Sequence, residues 1–540
     1  MKRILSILLA VALLCGLAAC GGNSANKATT APPPATTTAA TTTTAATTTA
    51  AEKTTTAAEA KQDTLPYVEI DWNTGEAPRP DDDMVTAALN EYIKEKLNCK
   101  INFIFMTYAE MRERYPVMLS SGQDMGITIA GTGYGTDYVN GVNLGAFTVL
   151  DDLIDKYAPV TKTLFSEAGW NAMRIGGKIY AVPNAKDNCY IMSGCYNSTL
   201  TAELGIDMEK YPKTYARVAD FEPFLMELAQ KRKEQKPELT MSLMRNMQEW
   251  PHNFAVETFV DYFLAAVTNL PGIMDIADKD AETVFNMYET PEYTEYAKMC
   301  VRFVKNGILP NEDLANPNQA DFTFFSQWGV VVVPEHYMSQ DWVSTHLPAA
   351  RAWTTTTVFH HGMAISSQCK EKERAMMVIE LFDSDPYVAT MFRFGIEGEH
   401  YIFDSNGKMT MNGSPRNSDP ASRGWFRWYA APIGNLLIVN APEDYVGPDN
   451  LMMKKIREYN ATAATGHMGF LFDTEPVMSE LAAVTAVVEE YRTTINNGRL
   501  PSEDAAVAYV KEFNEKLYAN GLKLIIDELQ KQLDAWKAAN

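Results

Sequence analysis

The chain has 540 residues, of which 46% are hydrophobic and 21% are charged, as in ordinary globular proteins. Its net charge of −21 repels phosphate backbones and anionic lipid. Because the sequence contains no local basic patch, it argues against nucleic-acid binding. The length allows two or three domains with substantial cores.

The first predicted element is a signal peptide at residues 1–19. Lys2 and Arg3 precede an apolar run that is too short for a permanent membrane span. The sequence Leu-Ala-Ala-Cys at 17–20 resembles the bacterial lipobox, in which the cysteine is lipidated and becomes the first residue of the mature protein. We therefore expect Cys20 to anchor the chain to a membrane. An ordinary secretory leader with an unrelated cysteine is the alternative.

Residues 20–62 are predicted to form the lipidated cysteine and a disordered tether. Threonine and alanine dominate this tract, and almost no large apolar side chain occurs in it. Such a segment cannot bury enough surface to offset its chain entropy. A flexible chain of about 40 residues spans roughly 35 Å, so the tether would hold a folded body off the membrane.

Strands and helices alternate in the first part of the body. PYVEIDWNT has the alternation of a strand, and DDDMVTAALNEYIKEKLNCK has apolar residues at helical spacing. INFIFM, YAEMRERYPVMLSSG and MGITIAG continue as strand, helix and buried strand. This order predicts an α/β lobe with a mainly parallel sheet, whose carboxyl-end loops face ligand. The next loop, GTGYGT, lacks the GxGxxG spacing of nucleotide sites, so we interpret it as a ligand-facing loop that contains Tyr134.

An ordered set of motifs follows across most of residues 65–540. The motifs are LDDLIDKYAP, GGKIYAVPN before YNSTL, NGILPNEDL before FFSQWGVVVVPEHY, FRFGIEGEHYIFD, GFLFDTEPVMSELAAVTAVVEEY and NEKLYANGLKLIIDELQKQLDAW. Together they resemble the extracellular solute-binding proteins of ABC importers. The resemblance is greatest to a large lipoprotein branch of Gram-positive bacteria, which is distantly related to maltose-binding protein. One departure is Asp124-Met125-Gly126, where many relatives have Pro-Asp.

The resemblance implies a two-lobed α/β fold of the periplasmic-binding-protein type, with a mainly parallel sheet flanked by helices in each lobe and hinge strands between the lobes. Ligand would bind in the cleft. The N-terminal lobe would comprise 63–186 and 357–397, and the C-terminal lobe 187–356 and 398–540. The chain would cross between the lobes in IYAVPNAKDN, near 355–359 and near 395–399.

An oligosaccharide is the favoured ligand. Sugars present apolar C–H faces and polar hydroxyls, so their sites combine aromatic platforms with amides and carboxylates. Aromatic residues make up 11% of the chain, although most aromatic side chains in proteins pack in cores. The candidate ligand-binding residues are Tyr134, Asn184, Tyr190, His336, Tyr337, Trp353, Trp425 and Trp428.

Glu397 and Glu399 raise the question of catalysis, because two nearby carboxylates can serve a glycoside hydrolase. The resemblance assigns them to a hinge region, so we predict a binding protein without catalytic residues. A surface-anchored carbohydrate-active hydrolase is the alternative. An adhesin or structural surface protein would also share the anchor and the tether.

The sequence predicts neither a metal site nor a cofactor. His360-His361 is the only histidine pair, and adjacent residues of a strand face opposite sides. The cysteine spacings do not match a zinc site. Cys189 and Cys195 could form a disulfide, although buried free thiols are the favoured interpretation.

These features predict a monomeric, lipid-anchored protein on the extracellular face of the membrane of a Gram-positive bacterium. It would capture a small solute and deliver it to the permease subunits of an ABC importer. Ligand that contacts both lobes only in the closed form would favour closure by its differential affinity.

The anchor can be tested with Cys20→Ala. This variant should leave the membrane fraction, because no other apolar run in the sequence is long enough to hold the chain there. The measurement is the distribution of the protein between sedimented membranes and supernatant after detergent-free washing. Continued sedimentation of the variant with membranes would contradict the assignment of Cys20.

Overall fold

The computed structural model describes residues 65–539 with internal gaps. The predicted signal peptide and tether lie outside the described residues. The gaps lie at 132–137, 187–189, 213–214, 216, 240–243, 245–256, 259–265, 268–282, 311–321, 329–341, 347–357, 359, 420, 428–432, 443–450 and 462–466.

The secondary-structure elements are labelled in chain order. The strands are β1 (Val68–Asn73), β2 (Cys99–Ile104), β3 (Ile127–Ala130), β4 (Arg174–Ile175), β5 (Lys178–Ile179), β6 (Ala181–Pro183), β7 (Tyr190–Asn197), β8 (Glu257–Thr258), β9 (Ala266–Val267), β10 (Val284–Phe285), β11 (Phe322–Trp328), β12 (Trp342–His346), β13 (Gly362–Ile365), β14 (Ile402–Phe403) and β15 (Met409–Thr410). The helices are α1 (Asp82–Leu97), α2 (Tyr108–Ser121), α3 (Tyr138–Asn143), α4 (Asp151–Tyr157), α5 (Pro159–Thr163), α6 (Glu167–Ala172), α7 (Ser198–Glu203), α8 (Glu222–Gln235), α9 (Pro291–Lys305), α10 (Lys372–Ser384), α11 (Pro386–Phe394), α12 (Leu451–Asn460), α13 (Met478–Asn496), α14 (Glu503–Ala519) and α15 (Leu522–Ala539).

Local sequence signals explain the first helices. Helix α1 buries Val85, Leu89 and Ile93, which recur at four-residue spacing along one face. Helix α2 starts with a capping box, in which the Thr107 hydroxyl accepts from the Glu110 amide at 3.3 Å and the Glu110 carboxylate accepts from the Thr107 amide at 2.7 Å.

The first sheet has the strand order β2-β1-β3-β13-β6. Strand β1 is parallel to β2 and β3, as the alternation of strands and helices predicts. Strand β13 returns from much later in the chain and is antiparallel to both β3 and β6. The sheet is therefore mixed.

Two main hydrophobic cores form. The first surrounds the first sheet and contains Trp72 at its centre. The second is built from two parts of the chain, Tyr196–Leu309 and Phe470–Leu533, and is rich in buried aromatic rings such as Tyr288 and Phe513. Helices α9, α13, α14 and α15 contribute one face each to this second core.

Both cores draw on residues late in the chain. Trp425, Ile433 and Met468 pack in the first core and Leu471 packs against it, whereas Phe470 and the buried apolar residues from Val477 onward pack in the second. The predicted crossing near 395–399 is a turn in which Gly395 and Gly398 have φ of 82° and 81°. The predicted boundary of the C-terminal lobe at 398 stays a prediction.

Cys99, Cys300 and Cys369 are buried thiols. Cys189 lies outside the described residues, so its pairing with Cys195 stays open. Within the described part of the chain, every helix is too short or too polar to span a membrane.

Two buried ionisable side chains lie on helices α10 and α11, which contribute to the first core. Asp383 is fully buried, and its Oδ2 lies 2.9 Å from the Thr161 hydroxyl. Burial raises the pKa of Asp383 to about 8. Arg393 is also buried and donates to the Ile433 carbonyl at 2.6 Å, and burial lowers its pKa to about 10.

The shifted pKa of Asp383 predicts a pH-dependent stability. Between the unfolded pKa of about 4 and the folded pKa of about 8, the folded state holds one proton more than the unfolded state. The stabilising contribution is therefore complete below pH 4 and is lost as the pH rises to 8, with a slope of at most about 1.4 kcal/mol per pH unit. Asp383→Asn should flatten this slope in denaturant unfolding between pH 5 and 8.

The matched control is Asp152→Asn, which neutralises an exposed carboxylate on α4. This variant should keep the parental slope. An unchanged slope in Asp383→Asn would show that Asp383 does not carry the proton that is gained on folding.

Candidate ligand-binding edge of the first sheet

The ends of three strands meet at one edge of the first sheet. Because β13 is antiparallel, Gly362 at its start lies opposite Ala130 at the end of β3 and Pro183 at the end of β6. Residues that follow Pro183 and residues that precede Gly362 therefore share this edge. In α/β sheets, the edge at the carboxyl ends of the parallel strands is where ligands bind.

Buried polar side chains collect at this edge. Asn184, Lys186 and His361 are only 1%, 3% and 5% exposed. The backbone amide of Asn184 donates to the His361 carbonyl at 3.2 Å. This bond links the end of β6 to the segment before β13. The rings of His360 and His361 meet edge to face, with their centroids 4.1 Å apart.

Both imidazoles are neutral at physiological pH. Burial lowers the pKa of His360 to about 3, with a further contribution from the Lys186 charge. Burial, with His360 and Lys186, also places the pKa of His361 well below its usual range. A neutral imidazole has one donor and one acceptor nitrogen, which suits a hydroxyl group. The described residues contain no group of three or more His, Cys, Asp or Glu that could hold a metal ion.

Three consecutive residues that leave β6 are tied to a later segment of the chain. Asn184 Nδ2 donates to the Gly434 carbonyl at 2.6 Å, the Ala185 carbonyl accepts from the Leu436 amide at 2.8 Å, and the Lys186 carbonyl accepts from Asn460 Nδ2 at 2.6 Å. We call Gly434, Leu436 and Asn460 the brace. Gly434 has a φ of 65°, and a Cβ there would lie 2.7 Å from the Phe382 carbonyl, so this close approach requires glycine.

Asn184 lies at this edge, but its side-chain nitrogen Nδ2 donates to the brace. Its Oδ1 is buried and has no protein partner among the described residues. Whether Asn184 contacts ligand stays a prediction. The sequence does not reveal the brace, because it depends on a contact over 250 residues.

Tyr190 starts β7, directly after the crossing. The backbone of β7 is antiparallel to β11, where Tyr190 pairs with Trp328, and antiparallel to β12. Five other predicted ligand-binding residues lie outside the described residues, and their role stays a prediction. They are Tyr134, His336, Tyr337, Trp353 and Trp428.

Trp425 occupies a core position, which corrects its predicted role as a stacking platform. The side chain is fully buried, and its indole Nε1 donates to the Phe392 carbonyl at 3.0 Å. The guanidinium of Arg427 lies 4.3 Å from the centre of the ring and the Phe392 ring meets its edge. A sugar platform needs an open ring face, and Trp425 has none here.

Glu397 and Glu399 lie on the turn after α11 and not at the sheet edge. Glu399 Oε2 accepts from Arg416 Nε at 3.0 Å, and Arg416 also pairs with Asp81 at 2.9 Å. Glu399 therefore has a structural partner. Lys186 is not among the predicted ligand-binding residues. The sequence predicts His360 and His361 only as packed or ligand-facing imidazoles, and their signal is that they directly precede β13.

The chain is similar to known proteins over most of its length. It is 24% identical over 472 residues to a carbohydrate ABC transporter substrate-binding protein of Streptococcus pneumoniae serotype 4, covering 84% of this chain and 88% of that protein. Residues 466–538 match a domain of unknown function, DUF3502.

Its fold is similar to that of the N-glycan transport solute-binding protein NgtS of Streptococcus pneumoniae, with a TM-score of 0.69, 22% identity, and coverage of 87% of this chain and 99% of NgtS. NgtS has also been solved in complex with Man5GlcNAc, with a TM-score of 0.58, 21% identity, and coverage of 87% and 98%. An EF-hand mutant of FusA from the same organism, in complex with fructo-nystose, has a TM-score of 0.56 at 15% identity, covering 87% of this chain and 100% of FusA. These likenesses confirm the predicted two-lobed solute-binding fold.

The position of Trp425 predicts a large effect on stability. Trp425→Ala should lower the free energy of unfolding by about 3–5 kcal/mol, since it removes a fully buried aromatic ring. Trp425→Phe keeps most of the ring volume and should cost less. Denaturant unfolding measures both variants. Near-native stability in Trp425→Ala would show that the ring is not part of the core.

Proposed function

We propose that this protein is a lipid-anchored, extracellular binding protein that captures an oligosaccharide and delivers it to an ABC-type permease. The observation that supports the proposal is the edge of the first sheet, where buried polar side chains collect and residues 184–186 are held by the brace. The proteins that resemble this chain over 84–87% of its length include carbohydrate-binding proteins, which supports the same ligand class here.

The sheet edge suits a hydroxyl-rich ligand. Neutral imidazoles such as those of His360 and His361 carry one donor and one acceptor nitrogen, and the adjoining residues 184–186 are held by the brace. A pre-organised polar edge loses little entropy when it binds ligand. The aromatic platforms that a sugar also needs would come from Tyr134, Tyr190, Tyr337, Trp353 and Trp428.

Membrane attachment would place the binding body near its permease. Cys20 would carry acyl chains, and residues 20–62 would act as the tether. Transport would then require no covalent chemistry. Ligand held by both lobes in the closed form would shift the population toward closure, and the permease would recognise that form.

The hydrolase alternative has weaker support. Glu399 forms an ion pair with Arg416, and neither Glu397 nor Glu399 lies at the sheet edge. A reducing-end assay separates the two functions, since a hydrolase releases new reducing ends from an oligosaccharide and a binding protein does not. Turnover that is lost in Glu397→Gln or Glu399→Gln would favour the hydrolase.

Sugar binding is tested by the thermal midpoint of the protein with mannose- and N-acetylglucosamine-containing oligosaccharides, fructo-oligosaccharides and, as controls, peptides. At a ligand concentration of about 100 times the dissociation constant, binding adds about 2.7 kcal/mol to stability. At least one oligosaccharide should therefore raise the midpoint, and the peptides should not. An unchanged midpoint with every sugar would contradict the proposal and favour an adhesin or structural role.

Trp428→Ala should then weaken oligosaccharide binding by about 1–3 kcal/mol, or roughly five- to a hundred-fold, because it removes a stacking face. Calorimetry measures the affinity, and denaturant unfolding measures the stability of the same variant. Trp425→Ala is the matched comparison, since it should lose stability first. Intact affinity in Trp428→Ala would remove this ring from the site.

A further inference from the structure

A pocket of about 480 Å³ lies among elements of the second core, apart from the edge of the first sheet. Strand β10, the turn that leads into α9, and helices α14 and α15 form its walls. Its volume is within the range of about 300–1,000 Å³ that is usual for small-molecule sites. The ligand edge described above does not use any of these residues.

One side of the pocket is apolar and partly open. Phe285 and Ile526 are half-buried, and Tyr518 is 38% exposed. The Tyr518 hydroxyl donates to Glu289 Oε2 at 2.6 Å, which holds the ring in one orientation. A half-open ring that is fixed in this way can serve as a platform for the C–H face of a sugar without a further loss of rotamer freedom.

The polar groups of the pocket carry both signs of charge. Glu289 and Glu292 provide carboxylate acceptors, and Glu292 has no side-chain hydrogen bond or ion pair within the described residues. Lys523 provides a donor, and its ammonium is oriented by Asp527 at 2.7 Å. The carboxylates disfavour an anionic ligand, whereas neutral hydroxyls can donate to the carboxylates and accept from the ammonium.

We propose that this pocket binds a neutral saccharide unit and is a second carbohydrate site, independent of the cleft. Tyr518 is its stacking platform, and Glu292 and Lys523 are its hydrogen-bonding groups. With a single platform and few polar contacts, the dissociation constant is on the order of 1 mM.

The test uses the full chain purified in a detergent without a sugar headgroup. Saturation-transfer NMR with glucose, mannose and N-acetylglucosamine at millimolar concentration measures weak binding, and glucuronate and glucosamine serve as anionic and cationic counterparts. At least one neutral sugar should bind more tightly than both charged sugars. Strongest binding of glucosamine or glucuronate would overturn the proposed ligand class.

Two variants assign the binding to the pocket. Tyr518→Ala and Glu292→Ala should each weaken it about tenfold or more, whereas Tyr387→Ala should not, because Tyr387 is an exposed tyrosine (52%) on α11 outside the pocket. Glu292→Ala also guards against a folding defect, because the Glu292 side chain makes no hydrogen bond or ion pair within the described residues. Equal binding by the parental chain and both pocket variants would overturn the proposal.

The outcome is separable from that of the proposed function. The oligosaccharide-dependent thermal midpoint reports the cleft, and it should survive in Tyr518→Ala and Glu292→Ala. Loss of the weak monosaccharide signal with an intact midpoint shift supports a second site. Loss of both in the two variants would show that the pocket belongs to a single site, and the proposal of an independent site would fail.

Discussion

The ligand edge depends on the antiparallel position of β13 between β3 and β6. This strand brings residues from beyond position 360 into a sheet whose other members lie before residue 184. Without it, β6 would have no partner in the sheet, and His360 and His361 would not meet Asn184 and Lys186. The pairing thus creates the edge from two parts of the chain that are far apart in sequence.

The brace is the second condition for this edge. Asn184, Ala185 and Lys186 each have one polar group that is hydrogen-bonded to a residue of the brace, and all three residues are buried. A buried amide or carbonyl is costly if it lacks a partner, so the segment has one favourable arrangement. Residues 184–186 are therefore held in place at the end of β6.

Local patterns predict the elements near β1, α1, β2, α2 and β3, because periodicity and caps act over a few residues. The prediction of two lobes comes from the family resemblance, because no local pattern indicates them. Trp425 shows the limit of both: its turn-rich neighbourhood is typical of a surface loop, yet Phe392 and Asn417 satisfy its polar groups inside the core. The late change of core after Met468 likewise depends on which side chains meet, and not on how they are spaced.

The second core has a consequence for the order in which the molecule folds. It combines Tyr196–Leu309 with Phe470–Leu533, and the first core takes residues as late as Met468. Neither core can be completed from the first three hundred residues alone, and contacts of such long sequence separation form slowly. A chain that emerges from its amino terminus therefore stays without a finished core until residues near 468 follow, and only the last helices complete the second core.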